Sequence, residues 1–121
     1  MLMAVADTYE LTIDQARDWE WSVRWKVGRN ERTAVPKPGI ETFTFFMGFK
    51  AEYEDPACIV LLTNGPNIVV TPDGWIRLWM PHTLCELLPV RRIKWELMCI
   101  TPENRKIPVG KGLAIVVPKV V

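Results

Sequence analysis

Residues 18–27 read Asp-Trp-Glu-Trp-Ser-Val-Arg-Trp-Lys-Val, and this stretch decides the fold class. Apolar and polar residues alternate with period two throughout it, whereas a helix would scatter the same tryptophans around its circumference. Because alternate side chains of a pleated strand point to opposite faces, the pattern predicts a half-buried strand with an aromatic inner face. The inner set is Trp19, Trp21, Val23, Trp25 and Val27.

Shorter alternating stretches on both sides of this strand predict further strands. Tyr9 to Asp14 forms the first, and a corner at residues 14–17 joins it to the aromatic strand. A third strand runs over residues 41–53, with Gly48 as a bulge or a point of close contact. Its evenly spaced apolar residues are Phe43, Phe45, Met47 and Phe49. Residues 28–39 carry two prolines and several charges without an apolar period, which predicts a surface connection.

The second half of the chain continues the series of short strands. They are predicted over residues 58–63, 68–71, 75–80, 91–101 and 112–117. Residues 64–67 (Asn-Gly-Pro-Asn) and 72–74 (Pro-Asp-Gly) are turn sequences between them. Residues 81–89 are the one helical candidate, because Pro81 can start a short helix and Pro89 stops it. The leucines predicted to share one face of that helix are Leu84, Leu87 and Leu88.

Seven or eight short strands with turn signals roughly every ten residues are typical of an all-β, two-sheet antiparallel β-sandwich of immunoglobulin-like type. One short helix is predicted between the strands at 75–80 and 91–101. No helices are available to support crossover connections between parallel strands, and a small closed barrel is the alternative architecture. A chain of 121 residues is the size of one domain, so residues 1–121 are predicted to form a single sandwich.

The overall composition excludes several classes of protein. A hydrophobic fraction of 49% with 24% charged residues predicts a folded chain, and a formal net charge of +1 gives no basic footprint for nucleic acid. No apolar run approaches the ~20 residues needed to cross a bilayer. The first residues lack the charged start and long apolar stretch of a signal peptide. We therefore expect a soluble protein that is made in a cytoplasm and does not bind membranes.

No combination of side chains points to catalysis, a metal or a cofactor. Cys58, Cys85 and Cys99 form an odd set without CxxC spacing, so reduced, buried thiols are the favoured interpretation. His82 stands three residues from Cys85, and a zinc site with Cys58 or Cys99 is a less favoured alternative. His82 is the single histidine and is predicted to be a cap or a surface residue, and no nucleophile or phosphate-loop motif is present.

The acidic residues mostly alternate with apolar ones along strands, which indicates solvated faces rather than a catalytic pair. Asp18 and Glu20 are predicted to form cross-strand pairs with basic neighbours. We therefore expect no enzymatic activity.

The order of these segments resembles a family of small β-sandwich proteins found in the virions of tailed bacteriophages. The matching features are an opening strand with a glutamine corner at residues 11–15, the aromatic strand at 19–26 and a polar loop after it. A glycine-led apolar strand at 74–80 and a short helical segment at 84–88 follow. The last strands, at 95–97 and 110–118, end on Val-Pro. Ala16 and the turn at 102–104 depart from the pattern and affect loop shape.

The resemblance implies that Ile76, Leu78 and Met80 point inward, which leaves Trp75, Arg77 and Trp79 on the outer face. Tryptophan and arginine are enriched at the energetic centres of protein interfaces, so these three residues are the candidate interface. The competing interpretation is that a loop or the short helix of the same chain covers them. Phe46 breaks the alternation of its apolar neighbours, so the sequence also leaves open whether Phe46 is exposed or covered by the same chain.

The resemblance further implies a structural role in the virion, in the tail, baseplate or neck. The expected partners are other virion proteins and copies of the same chain, with no cofactor. The apolar ends at residues 1–7 and 116–121, together with open strand edges, are predicted to pack against those partners. The alternatives are a capsid decoration protein and a carbohydrate-binding module that stacks host-surface sugars on Trp75 and Trp79.

Overall fold

A computed structural model describes residues 2–3, 6–30 and 32–118. The strands of the first half are β1 (Leu2–Met3), β2 (Ala6–Thr8), β3 (Leu11–Asp14), β4 (Trp19–Arg24), β5 (Lys26–Val27) and β6 (Val35–Pro36). They are followed by a 3-10 turn (Ile40–Thr42), β7 (Thr44–Lys50), β8 (Val60–Thr63), β9 (Ile68–Val70) and β10 (Trp75–Met80). The short helix α1 (His82–Cys85) precedes β11 (Arg92–Ile100) and β12 (Lys106–Val117).

Two sheets form the sandwich, which confirms the predicted fold class. One sheet has the strand order β4-β10-β9, and the other runs β2-β12-β11-β7-β8 with β3 also paired to β12. A small third sheet, β1-β5-β6, continues beyond the end of β4. The helix α1 lies between β10 and β11, as the sequence predicts, and no helix in the described part of the chain is long and apolar enough to cross a membrane.

The core lies between the inner faces of the two sheets, where the period-two residues predicted to be internal are found. On β11, Ile93, Trp95, Leu97 and Cys99 are all fully buried. Trp95 donates a hydrogen bond from its indole nitrogen to the backbone oxygen of Tyr9 at 3.0 Å, so its polar atom is satisfied inside the core. Of the aromatic strand, Trp19, Val23 and Trp25 are buried, while Trp21 is half-buried and packs edge-on against Trp95.

The pairing is antiparallel except where the N-terminal strands join the second sheet. β2 and β3 both run parallel to β12, with Leu11 opposite Ala114 and Val117 opposite Asp14. The prediction of purely antiparallel pairing is wrong here. A parallel pair needs a long connection between its strands, and the rest of the domain provides it in place of a crossover helix.

The region predicted to be a surface connection, residues 28–39, contains ordered strand structure. β5 and β6 pair antiparallel across it, with Val27 opposite Val35. The chain approaches itself closely here, because a Cβ atom added at Gly28 would lie 2.6 Å from the Cα of Ala34. None of the described residues in this region is buried, so the predicted surface connection is confirmed. Only the strand β6 within it is not predicted, because two-residue strands are too short to show a periodic pattern.

Several predicted boundaries also change. The third strand, predicted over 41–53, covers Thr44–Lys50, because a 3-10 turn precedes it and a loop begins after Lys50. The last strand begins at Lys106 rather than residue 112. In the predicted helix Leu84 is half-buried and Leu88 buried, but Leu87 is 60% exposed, because the helix ends at Cys85 and its face does not extend further.

Gly48 is a point of close contact rather than a bulge. It pairs in register with both neighbouring strands, and an added Cβ atom would lie 2.6 Å from the sulfur of Cys58. The register shifts of this sheet lie instead between Leu97 and Met98, where β12 carries an extra residue, and between Gly110 and Lys111 opposite β2. The predicted packing of the chain ends concerns residues 1–7 and 116–121, which lie in part outside the described residues.

Candidate interaction surface

The outer face of the β4-β10-β9 sheet carries the predicted interface residues. Ile76, Leu78 and Met80 are buried in the core, so the alternation along β10 has the predicted direction. The structure therefore brings Trp75, Arg77 and Trp79 together on the outer face, although they differ in accessibility. Neither a loop nor α1 covers Trp79, which remains 40% exposed.

Trp75 lies in a cluster of positive charge at the start of β10. The guanidinium carbons of Arg24 and Arg77 lie 5.6 and 5.9 Å from the centroid of its ring. Arg24 is held in place because its Nε donates a hydrogen bond to the backbone oxygen of Asp73 at 2.9 Å. The two cations occupy the space that a partner would need in order to stack on this ring, and the contacts are cation–π interactions within the chain.

Asp73 lies in the turn that precedes this end of β10. Its carboxylate accepts a hydrogen bond from the hydroxyl of Thr71, and this bond lowers the pKa of Asp73 below its ordinary value of 3.8. Arg24 and Arg77 lower the same pKa further through their charges. The predicted turn at residues 72–74 is confirmed, and Gly74 adopts a positive φ of 93° that favours glycine.

Trp79 lies beside an open hollow of about 420 Å³ on the same face. The hollow is lined by Glu20, Ser22, Pro66, Asn67, Val69, Arg77, Leu78 and Trp79. Glu20 lies directly opposite Trp79 across the β4–β10 pair, so the predicted cross-strand pairing of Glu20 with a basic residue is wrong. Asn67 donates its amide N–H to the backbone oxygen of Trp79 at 3.2 Å, which leaves its carbonyl oxygen as an acceptor. Val69 is 56% exposed at the edge of the hollow.

Asp18 and His82 connect the Trp79 end of β10 to the start of the helix. One carboxylate oxygen of Asp18 accepts a hydrogen bond from the backbone N–H of His82 at 2.8 Å. The same oxygen lies 3.0 Å from Nδ1 of the His82 ring. The backbone hydrogen bond is the main reason that the pKa of Asp18 is lowered. Asp18 thus caps the helix start rather than pairing across strands, and His82 is exposed.

The cysteines are free thiols in separate surroundings. Cys85 and Cys99 are fully buried, and desolvation raises the pKa of each to about 11, so both are neutral at physiological pH. Cys58 is half-buried on the outer face of the other sheet, with its sulfur over Gly48. Among residues 2–3, 6–30 and 32–118, no three His, Cys, Asp or Glu side chains are grouped as they would be around a metal ion.

A second exposed apolar region lies at the β8 edge of the six-stranded sheet. Ile59 and Leu61 are 37% and 50% exposed, and a small hollow of about 110 Å³ beside Leu61 reaches Phe46, Gly48 and Cys58. Phe46 is half-buried on this outer face, with the amino group of Lys106 5.6 Å from its ring centroid. Sequence reasoning missed Leu61 and Val69, because alternation alone does not show that their strands lie at the edges of sheets.

A third concavity, of about 490 Å³, lies at the end of the sandwich where the 3-10 turn meets the β11–β12 turn. Lys37, Glu103 and Arg105 bring charges of both signs to its rim. The nearby core also holds a buried donor, because the indole nitrogen of Trp25 has no acceptor among the described residues. His82 lines none of the three hollows.

No protein-family profile and no curated protein sequence matches the chain. Solved structures to which this chain is similar include CopC from Methylosinus trichosporium OB3b, with a TM-score of 0.45 and 12% identity over 100% of this chain and 96% of that one. A DUF4784 family protein from Bacteroides caccae gives a TM-score of 0.42 at 11% identity, over 95% of this chain and 23% of that one. Extracellular domains 3–5 of Drosophila OTK give 0.42 at 8% identity, over 96% and 36%.

Proposed function

We propose that this chain is a structural protein of a tailed-bacteriophage virion, a component of the tail, baseplate or neck that acts through protein–protein contacts. The observation that carries the contact function is the outer face of the β4-β10-β9 sheet, where Trp79 and Val69 are exposed beside Arg77. A large aromatic side chain next to arginine is typical of the centre of an interface. The virion setting is supported by the sequence pattern that resembles the phage β-sandwich proteins.

The three candidate residues take different roles in this proposal. Trp79 is the anchor, because its ring lies next to a hollow into which a partner's side chain fits. Arg77 contributes a charged rim. Trp75 holds the guanidinium groups of Arg24 and Arg77 in place and contacts the partner less directly.

The test uses the phage or prophage that encodes the chain. Purified particles should contain the protein at a fixed copy number, and cryo-electron microscopy of those particles should show its sandwich against neighbouring subunits. A phage lacking the gene should be rescued by the wild-type chain and far less well by Trp79→Ala. Val90→Ala, at a residue that is 52% exposed, serves as the matched control and should rescue fully. Absence of the chain from purified particles contradicts the proposal, and a location on the head surface favours the capsid decoration alternative.

The hollow beside Trp79 favours one second candidate, carbohydrate binding. Glu20, Asn67 and Arg77 offer planar polar groups around an exposed aromatic ring, an arrangement suited to a sugar with vicinal hydroxyl groups. The sequence suggests that sugars stack on both Trp75 and Trp79. We expect stacking on Trp79 alone, because Trp75 is covered by its two arginines. Titration of a panel of soluble glycans, followed by the indole N–H signal of Trp79 in NMR spectra, separates the candidates. A sugar binder shows saturable shifts that Glu20→Gln abolishes, whereas an assembly protein shows none.

A further inference from the structure

The end hollow is the concavity of about 490 Å³ where the 3-10 turn meets the β11–β12 turn. It shares no lining residue with the hollow beside Trp79. Its volume lies within the range of about 300–1,000 Å³ that is common for small-molecule sites. Its apolar lining includes Phe43, Pro102 and Ile107, and its charged lining consists of Lys37, Glu103 and Arg105.

Hydrogen bonds to the backbone hold both walls of the end hollow. On one wall, the backbone nitrogen of Lys37 donates to the backbone oxygen of Trp25 at 3.0 Å. On the other wall, the N–H of Thr101 donates to the backbone oxygen of Arg105 at 2.9 Å. The hydroxyl of Thr101 in turn accepts the N–H of Arg105 at 3.2 Å. The charged side chains therefore extend from backbone that is already ordered, which lowers the cost of binding a ligand.

Lys37 is half-buried and brings its ammonium group close to the core. Its Nζ lies 5.6 Å from the centroid of the Trp25 ring, and that tryptophan is 3% exposed. Desolvation raises the pKa of the buried Cys99 thiol, and the charge of Lys37 opposes this rise. Within residues 2–3, 6–30 and 32–118, no carboxylate forms an ion pair with Lys37. A cation in partly apolar surroundings without a counter-ion attracts an anion more strongly than one in open water.

The charged residues of the end hollow have an excess of positive charge. The carboxylate of Glu103 accepts hydrogen bonds from its own backbone N–H and from the hydroxyl of Thr101, and these bonds lower its pKa. Arg105 lowers the same pKa further through its charge, but it forms no ion pair with any carboxylate of the described chain. Two cations and one anion line the hollow, so the net charge of its lining is +1.

We propose that the end hollow binds a carboxylate carried on an apolar or aromatic group, with Lys37 and Arg105 as the residues that hold the carboxylate. A carboxylate supplies acceptor oxygens to both cations, and its single negative charge balances that of the lining. Glu103 adds selectivity, because it repels a ligand that carries a second negative charge. A free organic acid and the C-terminal carboxylate of a peptide both present this chemistry.

Phe43 provides a surface for the apolar part of the ligand. It is half-buried, and its ring packs against that of Trp25 with 6.0 Å between the centroids. Ile107, also half-buried, lines the same hollow. Because the aromatic ring of Phe43 is held by its neighbour in the core, it can contact an apolar group without first being ordered.

The carboxylate site is independent of the proposed function in a virion. It belongs to the isolated chain and uses no residue of the Trp79 face. Trp79→Ala should therefore bind the carboxylate as the wild type does. A chain that binds carboxylates but is absent from purified particles would overturn the proposed function and leave this inference standing.

The test is titration of the purified full chain with N-acetylphenylalanine, followed by NMR signals of the backbone amides and the tryptophan indoles. The wild type should show saturable shifts at residues 37–43 and 101–107 and at the indole N–H of Trp25, with a dissociation constant of about 1 mM. N-acetylphenylalanine amide lacks the charge and should bind at least about tenfold more weakly. A short peptide that ends in phenylalanine with a free carboxylate distinguishes the sources. Tighter binding of this peptide than of N-acetylphenylalanine identifies a peptide end as the ligand, and equal or weaker binding identifies a free acid.

Substitutions of the charged residues test the assignment of the carboxylate contacts. Lys37→Gln and Arg105→Gln should each raise the dissociation constant by about fivefold or more. Glu103→Gln should lower it by about two- to threefold, because it removes the one negative charge of the lining. Arg92→Gln is the matched control, at an exposed arginine at the opposite end of β11 from the hollow, and should leave the constant unchanged.

Circular dichroism verifies that each variant keeps the fold. If Lys37→Gln does not fold, Arg105→Gln still tests the site, because Arg105 is exposed. A tighter complex in Glu103→Gln cannot result from a loss of structure. The absence of saturable shifts at the highest soluble concentration of N-acetylphenylalanine overturns the proposal. Equal binding of the acid and its amide also overturns it, as does an effect of Arg92→Gln as large as that of Arg105→Gln.

Discussion

Trp75 and Trp79 lie four residues apart on the same face of β10, yet their surroundings differ. Two guanidinium groups stand over the ring of Trp75, whereas Trp79 faces Glu20 across the strand pair and keeps 40% of its surface exposed. Alternation along a strand assigns each side chain to a face. The residues on the neighbouring strand then decide whether that side chain is covered, so residue type and spacing alone do not identify a binding surface.

The largest effect is expected for Leu78, the inner-face residue between the two tryptophans. It is 2% exposed and belongs to the core of the sandwich. Leu78→Ala should lower the free energy of unfolding by about 2–5 kcal/mol, because it removes buried methyl groups and leaves a cavity. Urea denaturation followed by tryptophan fluorescence measures the change. Arg77→Ala, one residue away on the outer face, is the control, and a loss of similar size there would contradict the assignment of faces.

A smaller effect is expected for Trp75. Trp75→Ala removes the ring that holds Arg24 and Arg77, and it should lower the free energy of unfolding by about 1–2 kcal/mol. Trp75→Phe keeps an aromatic face and should restore part of the loss. Equal stability of the alanine variant and the wild type in thermal denaturation would show that the cluster contributes nothing.

For Trp79 we expect an effect on binding rather than on stability. Trp79→Ala should change the free energy of unfolding by less than about 0.5–1 kcal/mol, because the ring is largely outside the core. If the proposed function is right, the same variant should also abolish the contacts that the outer face makes with its partner. If Trp79→Ala destabilised the domain as much as Trp75→Ala, the distinction between the two tryptophans would be wrong.

The smallest effect concerns the two aspartates at the ends of β10. The pKa of Asp73, near Trp75, and that of Asp18, beyond Trp79, are both lowered by hydrogen bonds in the folded state. Each therefore adds stability that is fully present above the ordinary pKa of 3.8 and is lost as the pH falls through the lower folded pKa. The free energy of unfolding, measured at a series of pH values, should depend less on pH in Asp18→Asn and in Asp73→Asn than in the wild type. Glu54→Gln, outside β10, controls for the removal of a carboxylate and should keep the wild-type dependence.

The sequence predicts well the parts of the fold that rest on regular alternation. The inner faces of β10 and β11 follow directly from it, as does the buried position of Trp25, because a strand in a two-layer protein buries one set of alternate residues. The orientation of Trp75, Arg77 and Trp79 follows from the same argument. The turns at residues 64–67 and 72–74 are also predictable, since glycine adopts a positive φ in each.

Other features depend on contacts between residues that are distant in the sequence. The parallel pairing of Leu11 with Ala114 and the cap that Asp18 provides for His82 leave no local pattern. Gly112 is a clear example, because a Cβ atom there would collide with the backbone oxygen of Tyr9. Nothing within a few residues of Gly112 indicates that neighbour. The exposure of Leu61 likewise depends on its strand lying at the end of a sheet.

The side-by-side arrangement of β3 and β12 has a mechanical consequence. The two strands run in the same direction from Leu11 and Ala114 to Asp14 and Val117. Tension applied before Leu11 and after Val117 pulls them past each other along their length and loads all the hydrogen bonds of the pairing at once. A hairpin pulled apart at its open end would instead lose its bonds one after another. The domain therefore resists stretching until the hydrogen bonds between β3 and β12 break together.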